Sequence, residues 1–188
     1  MPPSLSQKIH DALPQAENID GICFRNVAFK RATKSQALST ARSLITGGRY
    51  NPIREFGTLY LSLDPHTSLE EVSQAQSLSA IRIAPRFPRV DLSVKVRLSK
   101  ILNLTNPAIQ HALGITETDL KGTDWYNIQE SGRVALTQLI GRFARDAGFE
   151  ALLVPSAKFP GKNLDIFYPD KLLPTSKVSL INEDQFPD

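Results

Sequence analysis

The chain has 188 residues, 41% hydrophobic and 22% charged, enough apolar material for one folded domain with a sizeable core. Its net charge of +3 gives little ground for a nucleic-acid partner, a role that rests only on the isoelectric point of 9.1 and is the weakest reading. A single cysteine, Cys23, excludes an intramolecular disulfide; no apolar run reaches transmembrane length, and the first residues lack a signal peptide's hydrophobic region, so a reducing cytoplasm is the expected compartment.

Residues 4–13 place Leu5, Ile9 and Leu13 at helical spacing before Pro14, which predicts a short amphipathic helix at the domain edge. Residues 21–29 read as a strand, with Cys23 as a buried, inert thiol. Arg25 stands inside that apolar run. Burying it demands an anionic partner, either a structural carboxylate or a bound phosphate. A helix is expected over 35–45, with Ser35 as its cap.

Next comes Gly47-Gly48-Arg49-Tyr50-Asn51, a two-glycine turn that delivers a cation, an aromatic and an amide. Glycine lets a ligand approach the backbone closely, and the guanidinium of Arg49 suits a phosphate or carboxylate. A strand over 58–63 carries Tyr60. Asp64-Pro65 ends it, and Thr67 with Glu70 forms a T-x-x-E capping box. That predicts a helix from about Ser68 to Ser79 with Glu71 free in its first turn, where the helix dipole favours a carboxylate.

Residues 81–83 and 90–98 alternate as half-buried strands around Pro85-Arg86-Phe87-Pro88. Asn106-Pro107 starts a helix that ends near Gly114, and 115–130 hold another short helix and a loop with Trp125 and Tyr126. The most regular helix spans 133–147, with Gly148 as its stop. Strands are expected at 151–154 and 163–168, around the loop that carries Ser156. The tail from Pro174 is polar and expected to be loosely attached. Strands and helices are mixed rather than alternating, so the fold class is α+β, a single domain over 1–188.

There is no P-loop, no dinucleotide G-x-G-x-x-G, no H-E-x-x-H and no G-x-S-x-G, and three scattered histidines with one cysteine do not suggest a metal site. What remains is one candidate site: the arginines, Tyr60, Glu71 and Ser156.

Several segments in fixed order make the chain resemble the RES domain family. They are Phe24-Arg25, GGRYN at 47–51, TLYLSLDPHTSLEEV at 58–72, SKILNLTNPAIQHALGI at 99–115, Trp125, TQLIG at 137–141, LLVPSA at 152–157 and NLDIFYP at 163–169. The resemblance covers about 20–172, leaving the 4–13 helix and the 174–188 tail as appendages. It implies a fold similar to ADP-ribosyltransferases, with mixed strands around an NAD cleft and flanking helices. It implies a bacterial toxin that cleaves the nicotinamide–ribose bond of NAD, with water or phosphate as acceptor, and an Xre-like antitoxin as partner. NAD is then the substrate and no metal is required. Carried over by residue, the resemblance assigns Arg25, Tyr60, Glu71 and Ser156 to catalysis. Arg25, Gly48, Arg49, Tyr50, Asn51, Tyr60, Ser156 and Asn163 would contact NAD. Tyr50 stands where the family more often has tryptophan. Two other functions fit the same segments: transfer of ADP-ribose to a macromolecule, and an inactive interaction protein. The presence of both Arg25 and Glu71 argues against the latter.

Overall fold

The computed structural model describes residues 2–78 and 88–188, and for residues 72–78 the backbone alone. The strand expected at 81–83 lies outside the described residues. Among the described residues, six strands form one mixed sheet: β1 (Glu17–Ala28), β2 (Leu59–Ser62), β3 (Arg89–Asn103), β4 (Ala151–Pro155), β5 (Lys162–Ile166) and β6 (Lys177–Leu180), in the order β1-β2-β5-β4-β3-β6. β1 also pairs with β3, from Ala28 opposite Arg89 to Glu17 opposite Ile101, so the sheet curls back on itself. The β3–β4 pair is parallel and the others are antiparallel.

Alternation along these strands sorts the side chains into two cores. Leu59, Leu61, Leu164, Ile166, Val94 and Val96 fill the inside of the curl. On the other face, Leu152, Val154 and Phe167 meet a helical layer. That layer contains α1 (Leu5–Asp11), α4 (Pro107–Leu113), α5 (Glu117–Gly122) and α7 (Leu136–Ala147). α1 packs on α7 with Ile9 fully buried, so the N-terminal helix is part of the main core and not an edge element. The helix predicted at 107–114 is present, with the Asn106 cap and a left-handed Gly114. Residues 115–130 form two helices, α5 and α6 (Trp125–Glu130), where one helix and a loop were expected.

Three further expectations are corrected. The helix at 35–45 is only α2 (Ala41–Thr46). The carbonyls of Ala37 and Ser39 accept from the Arg25 guanidinium, which draws them away from a helical ladder. The tail is not loose: Val178 and Leu180 alternate, β6 pairs with β3 through Val94–Leu180 and Val96–Val178, and Leu180 is buried. The third concerns α3 (Pro65–Leu78), which begins three residues earlier than predicted. Asp64 is the cap: its carboxylate accepts the Thr67 N–H at 2.8 Å and the Thr67 hydroxyl at 2.6 Å. Thr67 is therefore inside the helix, no T-x-x-E box forms, and Glu71 sits in the second turn, where the dipole is weaker.

Candidate active site

Glu71 is positioned by the loop between β4 and β5. Gly161 in that loop lies against the start of α3, where a Cβ would collide with Thr67 Oγ1. This contact brings both ends of the hairpin to the helix. Glu71 Oε1 accepts the Ser156 hydroxyl at 2.5 Å and the Asn163 Nδ2 amide at 2.9 Å. Both donors are aimed from behind. Ser156 Oγ accepts the Lys158 and Phe159 N–H groups, at 3.3 and 3.2 Å, so its own proton is left to point at Glu71. Asn163 Oδ1 accepts the Ser62 hydroxyl at 2.8 Å, which turns its NH2 group toward the carboxylate. Among the described residues, Glu71 Oε2 has no hydrogen-bond partner, and the side chain is half-exposed. One oxygen is fixed and the other is free to meet a ligand. Glu70 makes no such contacts among the described residues, so tertiary packing distinguishes the two adjacent glutamates.

The glycine turn forms the neighbouring wall. Gly47 has φ +68°, and at Gly48 a Cβ would run into the Tyr60 hydroxyl and Asn51. The Gly48 N–H donates to Asn51 O at 2.9 Å and the Tyr50 N–H to Tyr60 Oη at 3.3 Å. These two amides brace the turn itself. Asn51 is buried, donating to Ser43 O and Phe56 O and accepting from Tyr60 Oη at 2.6 Å. Gln138, in the first turn of α7, donates to Gly48 O, and Gly141 lets the Tyr50 backbone rest on the same helix. Gln138 was not anticipated as a site-positioning residue.

Arg49 is half-buried, and its Nη1 caps the end of α5 through Leu120 O, Lys121 O and Thr123 O at 3.0–3.3 Å. Its Nε and Nη2 make no hydrogen bond among the described residues. Tyr50 is 1% exposed with its ring in the helical core. Burial raises the pKa of both the Tyr50 and Tyr60 hydroxyls, and the Asp165 carboxylate adds to it.

Arg25 is placed differently. Ser62 pairs with Phe24, so the next residue, Arg25, faces the other side of the sheet, with Cys23 and Val27. Its Nη1 and Nη2 donate to Ala37 O and Ser39 O at 2.6 and 3.0 Å. Burial and the like charge of Arg31 push its pKa down to about 10. Neither predicted partner, carboxylate or phosphate, is needed to satisfy those two donors. The structure thus gathers Glu71, Ser156, Asn163, Tyr60, Asn51, Tyr50, Gly48 and Arg49 into one neighbourhood and leaves Arg25 across the sheet.

Among the described residues, no group of three or more His, Cys, Asp and Glu could hold a metal ion, and no helix is long and apolar enough to cross a membrane. The fold is an α+β domain in which Ser156 and Asn163, from the β4–β5 hairpin, meet a half-exposed carboxylate on α3. The chain belongs to the RES domain family, whose model matches residues 28–178. It is 30% identical over 116 residues to the NAD(+) phosphorylase MbcT of Mycobacterium tuberculosis and of Mycobacterium bovis, covering 60% of this chain and 60% of the relative. It is 31% identical over 117 residues to a probable NAD(+) phosphorylase of M. tuberculosis, Rv3189, covering 61% of this chain and 50% of that one. The alignments therefore span between half and three-fifths of these curated relatives. The fold is similar to a chain in the crystal structure of the M. tuberculosis MbcT–MbcA toxin–antitoxin complex. The TM-score is 0.70 at 24% identity, over 95% of this chain and 91% of that one.

Proposed function

We propose that the protein is an NAD-cleaving enzyme that transfers the ADP-ribosyl group to phosphate and acts as the toxin of a toxin–antitoxin pair. The observation that carries this reading is the Glu71 carboxylate, with Oε1 held by Ser156 and Asn163 and Oε2 without a hydrogen bond among the described residues. The relatives' names supply the substrate and the acceptor.

In this reading the C1″–N bond breaks, its electron pair leaves with neutral nicotinamide, and C1″ gains oxocarbenium character. Glu71 Oε2 bonds a ribose hydroxyl and faces the developing charge, as carboxylates do in glycoside cleavage. A phosphate oxygen then attacks C1″ to give ADP-ribose-1″-phosphate. Ser156 and Asn163 position Glu71. Arg49 offers its remaining N–H groups to the diphosphate, and the Tyr60 ring borders the ribose. Arg25 acts at a distance, by shaping residues 37–39, or meets the dinucleotide after rearrangement. A cleft of the ADP-ribosyltransferase type and an Xre-like antitoxin that silences it belong to the same proposal, as does action in the cytoplasm.

The test is NAD turnover by the purified chain, with and without inorganic phosphate, products identified by mass. Phosphate-dependent release of nicotinamide with ADP-ribose-1″-phosphate supports the reading, and free ADP-ribose would change the acceptor to water. Intact NAD would overturn it in favour of ADP-ribosylation of a macromolecule or a binding role.

A further inference from the structure

Asp165 has no part in the mechanism above, yet it lies beside Tyr60 on the face of the sheet that carries Asn163. It is on β5 two residues after Asn163, so both face the Glu71 side of the sheet, and it pairs across the strands with Tyr60. It is 2% exposed, its side chain makes no hydrogen bond among the described residues, and its Oδ1 is fully buried. The Tyr50 hydroxyl beside it is likewise buried without a partner. A carboxylate in such a place is costly unless it is paired or neutral. Charge reaches it from two sides. α3 brings Glu71, which repels it; the glycine turn brings Arg49, which attracts it, and neutral Tyr50. β2 brings neutral Tyr60, and Leu152 opposite it on β4 brings none.

We infer that Asp165 is a positioning residue that works as a neutral carboxylic acid on the Glu71 side of the sheet, so that it adds no negative charge beside Glu71 and the N–H groups of Arg49 that are unbonded among the described residues stay available to substrate. Burial first, and Glu71 second, hold its pKa well above the ordinary carboxylate value, with Arg49 opposing. Ionised, Asp165 would compete with the substrate's phosphates for Arg49. The inference about substrate rests on the proposed NAD reaction; the inference about the proton does not.

The experiment compares the wild type with Asp165→Asn, which copies the size and neutrality of the acid. Denaturant unfolding is measured from pH 4 to pH 9. The native state keeps a proton that the unfolded chain loses near its usual value of about 3.9. Wild-type stability relative to Asp165→Asn is therefore greatest below that pH and is lost as pH rises. A stability difference that stays flat, or that favours the wild type as pH rises, would overturn the neutral acid. In parallel, KM for NAD is followed with pH. In the wild type KM rises by about tenfold per pH unit once Asp165 ionises, while kcat changes less, and in Asp165→Asn the curve stays flat. Identical KM curves, or a folded Asp165→Asn that loses activity at neutral pH, would overturn the positioning role. A wild type that consumes no NAD would remove the functional reading, and the unfolding curves would still decide the state of Asp165.

Discussion

The two ends of β4 each hold a glutamate, and the contrast separates architecture from chemistry. Before the strand, Glu150 is fully buried and both of its oxygens are held by backbone: Oε2 accepts the Ser99 and Lys100 N–H groups at 2.8 and 3.0 Å, and Oε1 accepts Leu173 N–H at 3.0 Å. It ties β3 to the segment before β6 and has nothing left to offer a ligand. After the strand, Ser156 and Asn163 hold Glu71 by one oxygen, and the other, in a half-exposed position, has no hydrogen bond among the described residues. Restraint of both oxygens by backbone amides serves folding. Partial restraint by side chains gives a carboxylate with a fixed direction and spare capacity, which electrostatic stabilisation of a developing cation requires.

Exchanging these roles should fail in opposite ways. Glu71→Gln is expected to cut the rate of NAD cleavage by about 10³-fold with unfolding unchanged, measured by nicotinamide release beside a denaturation curve. A folded Glu71→Gln protein with wild-type turnover would break the comparison at its functional end. Glu150→Ala leaves three backbone N–H groups without their acceptor and should cost on the order of 3–5 kcal/mol of stability. The chain that remains folded at low temperature should still turn over. If Glu150→Ala unfolds no more easily than the wild type, the architectural half is wrong.

Smaller effects sharpen the contrast. Ser156→Ala and Asn163→Ala each free the Glu71 carboxylate to swing, and each should lower kcat by roughly 10²-fold, with the double variant less impaired than the product of the two. Additive losses would mean that they act on something other than Glu71. Asp64→Ala removes the cap of α3 and should cost about 1 kcal/mol, while Glu70→Ala should stay within about 0.5 kcal/mol. The Thr67 hydroxyl and N–H hold the Asp64 pKa below its ordinary value. Its contribution is therefore present above the unfolded-state pKa and lost as pH falls through the lower folded value. Urea midpoints of wild type and Asp64→Ala should converge at acid pH.

Much of the helical pattern was legible. The 107–114 helix could be read from Asn106, Pro107 and Gly114, because cap chemistry is local. The stripe of α7 was read from its period, although the helix begins at Leu136 and not at 133. The start of α3 was misread, because Asp64 and Thr67 are both competent caps and only the backbone path chooses between them. Residues 35–45 were misread because an arginine from a distant strand claims their carbonyls. Asp165 could have been flagged: a polar pair at 163 and 165 inside an apolar strand must share a face, and an aspartate there needs an explanation.

The sequence by itself determined the α+β class, most of the elements, and the segments that mark the RES family, because periodicity, turn residues and caps act over a few positions. Only the tertiary structure decided which glutamate is held, since Glu70 and Glu71 differ by one residue along a helix and the choice depends on Ser156 and Asn163 arriving from the far side of a hairpin. It also decided that Arg25 faces away from Glu71, because strand alternation fixes a side only after the register with Ser62 is known.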